Sequence, residues 1–169
     1  MKILITGAAG FIGSHTAERL KSLNHDVFGI DNFSSYYSED LKRLNEQSLL
    51  EKGISVLDKN LNDMNLKNAL PKDIEYIFHF AAQPGISSTS TFMDYLENNI
   101  LASRSILDYA ENLPYLKLFV NIGTSSVYGL EATFSEDKEP KPASFYGVTK
   151  LAAEQLALQK SREQKFKSC

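Results

Sequence analysis

One stretch near the start of the chain limits the fold more than any other. Lys2-Ile3-Leu4-Ile5-Thr6 is a short apolar run that leads without a spacer into Gly7-Ala8-Ala9-Gly10-Phe11-Ile12-Gly13 and then into a helix-patterned segment. Glycines at G-x-x-G-x-x-G spacing between a strand and a helix have separate physical tasks. Gly7 permits the tight turn, Gly10 lets backbone approach a bound group, and Gly13 lets the helix pack closely on the strand. The first N–H groups of that helix have no intrahelical partner and carry the positive end of its dipole, so the loop offers a seat to a pyrophosphate. A glycine triplet alone is weak evidence for such a site, and its place between strand and helix strengthens it.

The rest of the chain repeats this alternation. Short runs apolar on both faces are expected as strands at 2–6, 26–30, 54–58, 75–80 and 116–122, as in Tyr76-Ile77-Phe78-His79-Phe80. Helices are expected at about 11–23, 93–112 and 143–165, the second with a stripe of Leu96, Ile100, Ser103, Leu107 and Ala110. The expected fold is α/β, a doubly wound parallel sheet of order 3-2-1-4-5 with helices on both faces. Phe166-Lys167-Ser168-Cys169 reads either as the opening of a sixth strand or as a frayed helix end. The first reading protects the apolar strand at 116–122 from becoming a bare edge. Residues 1–169 are therefore expected to be one domain, incomplete at its C-terminal end.

Composition excludes several function classes. A net charge of −3 does not suit a nucleic-acid binder, and Lys160, Arg162, Lys165 and Lys167 read as an exposed helix end. No apolar run reaches membrane-spanning length. A single cysteine, Cys169, supports no disulfide framework or metal cluster and points to a reducing cytoplasm. His15, His25 and His79 are too scattered for a metal site, and His79 reads as a packed side chain.

Two further features carry chemistry. Asp31 ends the second expected strand, 18 residues past Gly13, where a carboxylate accepts from the adenosine ribose hydroxyls. It repels a 2′-phosphate, and no Lys or Arg lies between Lys21 and Lys42 to neutralise one, so NAD is expected rather than NADP. Tyr146 and Lys150 stand at i, i+4 on one helix face. A nearby ammonium favours the phenolate, and lowering a tyrosine from about 10 to about 7 takes roughly 4 kcal/mol. The bland reading, a tyrosine packed over an exposed lysine, loses weight because Thr124-Ser125-Ser126 emerge at the C-terminal end of a strand, where ligands bind in open parallel sheets.

TGAAGFIGSH, Asp31-Asn32, HFAAQ at 79–83, Asn99, GTSSVYG at 123–129 and YGVTK at 146–150 follow one another in that order. In this the chain resembles the extended short-chain dehydrogenase/reductase family, in its NAD-dependent epimerase/dehydratase branch. The resemblance covers nearly the whole chain and implies roles. Gly7, Gly10, Phe11, Ile12 and Gly13 would hold the pyrophosphate, and Asp31 and Asn32 the adenosine ribose. Asn60 and Leu61 would lie beside the adenine, with asparagine where the family has an acid. Phe80, Ala81, Ala82 and Gln83 would line the cofactor, with Asn99 near the active site. Thr124, Tyr146 and Lys150 would be the catalytic set, Lys150 also holding the nicotinamide ribose. Ser125 and Ser126 would touch substrate; they stand where dehydratases of the family carry an Asp-Glu pair, which disfavours dehydration.

The resemblance implies an NAD-dependent nucleotide-sugar 4-epimerase acting through a transient 4-keto sugar. The tract Asp31–Tyr37 followed by Leu41-Lys42-Arg43 is most similar to UDP-glucuronate 4-epimerases. Relatives carry a C-terminal substrate domain after this point, so a noncatalytic NAD-binding module is the alternative. A nucleotide-sugar dehydrogenase or reductase is the second. A homodimer is expected through the helices at 93–112 and 143–165.

Overall fold

The computed structural model describes every residue except 86–88, 131, 132, 134, 164 and 165. Its strands are β1 (Lys2–Thr6), β2 (Asp26–Asp31), β3 (Ser55–Asp58), β4 (Tyr76–His79), β5 (Leu118–Asn121) and β6 (Lys167–Ser168). They form one parallel sheet in the order β3-β2-β1-β4-β5-β6. The expected order therefore holds, with the sixth strand added at its end. Phe166 is buried, and Lys167 and Cys169 donate their N–H groups to Lys117 and Phe119 carbonyls, so the strand reading of this segment stands over the frayed helix.

Side chains alternate across β1, and both faces are covered. Leu4 joins Ile77, Phe119, Ile106 and Leu107 on one side, whereas Ile3 and Ile5 join Val27, Ala17 and Leu49 on the other. The second side is closed by α1 (Phe11–Ser22) and α2 (Glu39–Glu51). A short α3 (Leu66–Ala69) precedes β4.

The helix expected at 93–112 is interrupted. It begins as α4 (Phe92–Tyr95), capped reciprocally by Thr91 and Asp94, passes through a π-helical segment at Leu96–Leu101, and continues as α5 (Ala102–Ala110). The wider turn rotates the buried face. Tyr95, Asn99, Ala102 and Ser103 turn inward, and Leu96 and Ile100, expected on the stripe, are only half-buried. Such π segments gather at functional sites. The last helix, α6 (Phe145–Glu163), starts two residues later than expected because the Ser144 hydroxyl caps it by accepting from Gly147 N–H. The end expected at 164–165, with Lys165, lies outside the described residues.

Candidate active site

One cleft of roughly 620 Å³ opens at the C-terminal ends of β1, β2, β4 and β5. Every residue expected to hold the cofactor lines it except Asn99, and so do Tyr146 and Lys150. Residues from 7 to 150 thus converge on one site, as the switch point of a doubly wound sheet provides.

The glycine loop has the geometry a pyrophosphate needs. Gly7 takes φ +68°, and a Cβ there would stand 2.9 Å from Ala81 N. A Cβ on Gly13 would fall inside the contact radius of Gly7 O. Ser14 N–H is the first to bond back along α1, to Gly10 O. The N–H groups of Phe11, Ile12 and Gly13 come before that bond, and all three residues line the cleft. The cradle thus fits the phosphates of a dinucleotide.

Asp31 is only 6% exposed. Its Oδ2 accepts from Ala9 N–H at 3.1 Å and its Oδ1 from Phe33 N–H at 2.8 Å, which holds Phe33 at φ +49°. The Lys42 ammonium lies 3.4 Å from the same Oδ1. The expectation that no cation stands near Asp31 is therefore corrected. The two lie eleven positions apart in the chain, but α2 brings Lys42 to the end of β2 and closes the gap. Asn32 also lines the cleft, its Oδ1 accepting from Ser34 N–H. Asn60 spends part of its acceptor capacity on Asn62 N–H at 2.8 Å.

On the other side of β1 a buried polar chain supports the segment of the cleft wall at 80–83. Ala81 N–H donates to Thr6 Oγ1, which donates to His79 Nδ1 at 2.7 Å. The Ser103 hydroxyl is committed to Asn99 O at 2.6 Å, so it accepts from His79 Nε2–H at 2.9 Å. His79 is thereby held neutral in one tautomer. Burial, aided by the nearby Lys150 charge, pushes its pKa down to about 3. His79 is packed, as expected.

Asn99 does not line the cleft; its neighbour Asn98 does. The Asn99 amide accepts from Gln83 N–H at 2.7 Å and donates to Gln83 O and Thr149 Oγ1. It ties Gln83 in the cleft wall to α6, one residue from Lys150. The Thr149 hydroxyl in turn donates to the Phe145 and Tyr146 carbonyls. Nothing in the sequence marks Thr149, since a threonine inside a helix is ordinary.

Lys150 is 5% exposed and makes no hydrogen bond to any described residue. Burial draws its pKa down from 10.5 to about 8, with Glu154 partly offsetting. Tyr146, one turn earlier, packs its ring against Gly85, where any Cβ would collide with it. Its hydroxyl has no hydrogen-bond partner among the described residues. Thr124, Ser125 and Ser126 fall just outside the cleft wall, which Ile122 and Gly123 form. Thr124 caps the 3₁₀ turn Ser125–Tyr128 by accepting from Ser126 N–H at 3.2 Å, which leaves its O–H as a donor. No cluster of His, Cys, Asp or Glu suited to a metal occurs among the described residues, and none of their helices is long and apolar enough to cross a membrane.

The family described as NAD dependent epimerase/dehydratase matches residues 3–169. The UDP-glucuronate 4-epimerase 4 of Arabidopsis thaliana is 37% identical over 161 residues, covering 92% of this chain and 37% of the relative. An uncharacterised UDP-glucose epimerase of Bacillus subtilis is 42% identical over 161 residues, covering 92% and 50%. Among solved structures, a Tyr→Phe variant of the UDP-glucuronic acid 4-epimerase of Bacillus cereus, in complex with UDP-4-deoxy-4-fluoro-glucuronic acid and NAD, superposes with a TM-score of 0.91 at 36% identity. That match covers 99% of this chain and 55% of the other. The chain spans about half the length of these relatives, or less.

Proposed function

The chain belongs to the NAD-dependent epimerase/dehydratase family, and from that premise we propose that residues 1–169 are the NAD-binding and proton-transfer domain of a UDP-sugar 4-epimerase. The observation that carries this reading is the meeting of the Gly7–Gly13 cradle and the Tyr146–Lys150 pair in one cleft. NAD, when bound, supplies a reversible hydride acceptor for the sugar C4.

The chain's own residues do the rest. The amides after Gly10 seat the pyrophosphate, and Asp31 with Asn32 orients the adenosine ribose. Thr124, with its lone pair given to Ser126 N–H, donates its O–H to the sugar 4-oxygen. Tyr146 takes the proton from the 4-hydroxyl and returns one to that oxygen after the 4-keto sugar has turned over. Lys150 favours the phenolate because a desolvated ammonium gains most from a neighbouring anion. Ser125 and Ser126 contact substrate and supply no carboxylate for eliminating water.

The relatives' names favour a UDP-hexuronic acid or UDP-hexose as substrate. The test is to add NAD and then UDP-glucuronic acid, and to follow formation of its C4 epimer by NMR. Epimer with no net accumulation of reduced nicotinamide is the expected result. Tight NAD binding without UDP-sugar binding or turnover would instead favour a noncatalytic module, and steady accumulation of reduced nicotinamide a dehydrogenase. A homodimer is part of the same proposal. Its support is the exposed apolar set Phe92, Met93, Leu101, Phe145 and Val148 on α4, the π segment and α6. A mass by light scattering equal to one chain would remove it.

A further inference from the structure

The ribose side of the cleft holds a cation whose charge Asp31 does not fully use. Lys42 is 9% exposed and lines the cleft together with Asp31 and Ser34. Its Nζ lies 3.4 Å from Asp31 Oδ1 and 3.3 Å from Ser34 Oγ, both long for a charge-assisted contact. Neighbouring cations are committed more tightly. Arg43 sits 2.7 Å from Asp58 and 3.0 Å from Glu46 and stacks over the Phe33 ring at 3.6 Å. Lys59, also in the cleft wall, is 2.7 Å from Asp63. Asp31 meanwhile shares its negative charge with the Ala9 and Phe33 N–H groups. The ammonium has three N–H donors and, among the described residues, two loose partners.

Resting on the reading of this cleft as an NAD site, we propose that Lys42, with the Ser34 hydroxyl, is a built-in acceptor for a 2′-phosphate on the adenosine ribose, which Asp31 holds in check. A lone buried carboxylate rejects a dianionic phosphate by repulsion. The Asp31–Lys42 pair presents almost no net charge, so that rejection is weaker, and Lys42 sets how weak. The site prefers the unphosphorylated ribose because Asp31 accepts from its hydroxyls, and it retains measurable affinity for the phosphorylated one. Neutralising Asp31 frees the ammonium and inverts the balance.

The probes are ADP and 2′,5′-ADP, which carry the adenosine end alone, with affinities measured by calorimetry at fixed ionic strength. In Lys42→Met the affinity for 2′,5′-ADP relative to ADP falls about 10- to 100-fold, the loss of one charge-assisted hydrogen bond, and Lys42→Arg keeps most of it. In Asp31→Asn the ratio rises by about tenfold or more, and Asp31→Asn with Lys42→Met loses that gain. Thermal melts of each variant exclude misfolding, and the Lys42 pair alone decides the matter if the Asp31 variant is unfolded. ADP binding with a ratio indifferent to Lys42 overturns the proposal alone. Wild-type protein that binds neither ADP nor NAD overturns the reading of the cleft and the proposal with it.

Discussion

Asp31 and Lys150 are almost equally buried, at 6% and 5% exposure, yet their surroundings differ in kind. Asp31 receives two backbone N–H groups and an ammonium. Lys150 donates no hydrogen bond to any described residue, and burial draws its pKa down to about 8. A buried charge with matched donors is a fixed feature that orients a ligand. A buried ammonium without acceptors is held at a cost and responds strongly to any anion brought near. On the proposed function, the Asp31 side of the cleft holds the ligand and the Lys150 side takes part in the reaction.

Substitutions should separate the two sides. The largest expected effect is on turnover. Tyr146→Phe slows epimerisation by about 10²- to 10⁴-fold, the usual contribution of a positioned acid or base. Gly13→Ala acts first on NAD affinity, because its methyl group collides with Gly7 O. Steady-state rates and calorimetry together check this, and a Tyr146 variant that lost binding as heavily as Gly13→Ala would break the division.

Next in size is a gain in stability. The unfolded chain holds the Lys150 proton up to about 10.5 and the folded chain only to about 8. Folding therefore carries a penalty that is fully present below pH 8 and fades as pH rises toward 10.5. Lys150→Met removes it and should raise unfolding free energy at pH 7 by about 3 kcal/mol in the absence of NAD while, on the proposed function, abolishing turnover. Urea unfolding gives the number. A destabilised variant would show that Lys150 is as well compensated as Asp31.

His79 provides the smallest and sharpest comparison, since it is buried like Lys150 but satisfied like Asp31. Its folded pKa of about 3 lies below the ordinary 6.5, so the unfolded chain takes up a proton first as pH falls. The associated stability is present above pH 6.5 and is lost as pH drops from there toward 3. Between pH 7 and pH 5 that loss amounts to roughly 2 kcal/mol. His79→Asn should narrow the difference between the two pH values by that amount in paired urea titrations. An unchanged difference would mean that His79 is not buried neutral.

Much of this molecule was legible from short-range pattern. The parallel strands, the glycine loop at Gly7–Gly13, the carboxylate at the end of β2 and the i, i+4 spacing of Tyr146 and Lys150 all follow from runs a few residues long. Legibility fails where a residue's neighbour is distant in sequence. The stripe expected through Leu96 and Ile100 is displaced because the π segment rotates the helix, and helical periodicity contains no notice of that extra residue. Asn98 lines the cleft in place of Asn99 for the same reason, while Asn99 is drawn inward to Gln83 and Thr149.

The sequence by itself determined which backbone shapes were available and which chemical groups would stand at the strand ends, because turn geometry and side-chain period are local properties. Only the tertiary structure decided the charges those groups carry and feel. Lys42 reaches Asp31 by the fold of α2, His79 is neutral because Thr6, Ser103 and the buried core surround it, and the Lys150 pKa falls because α6 buries its ammonium in the cleft wall. Desolvation and pairing depend on everything within a few ångströms in space, and no order of residues along the chain states what that will be.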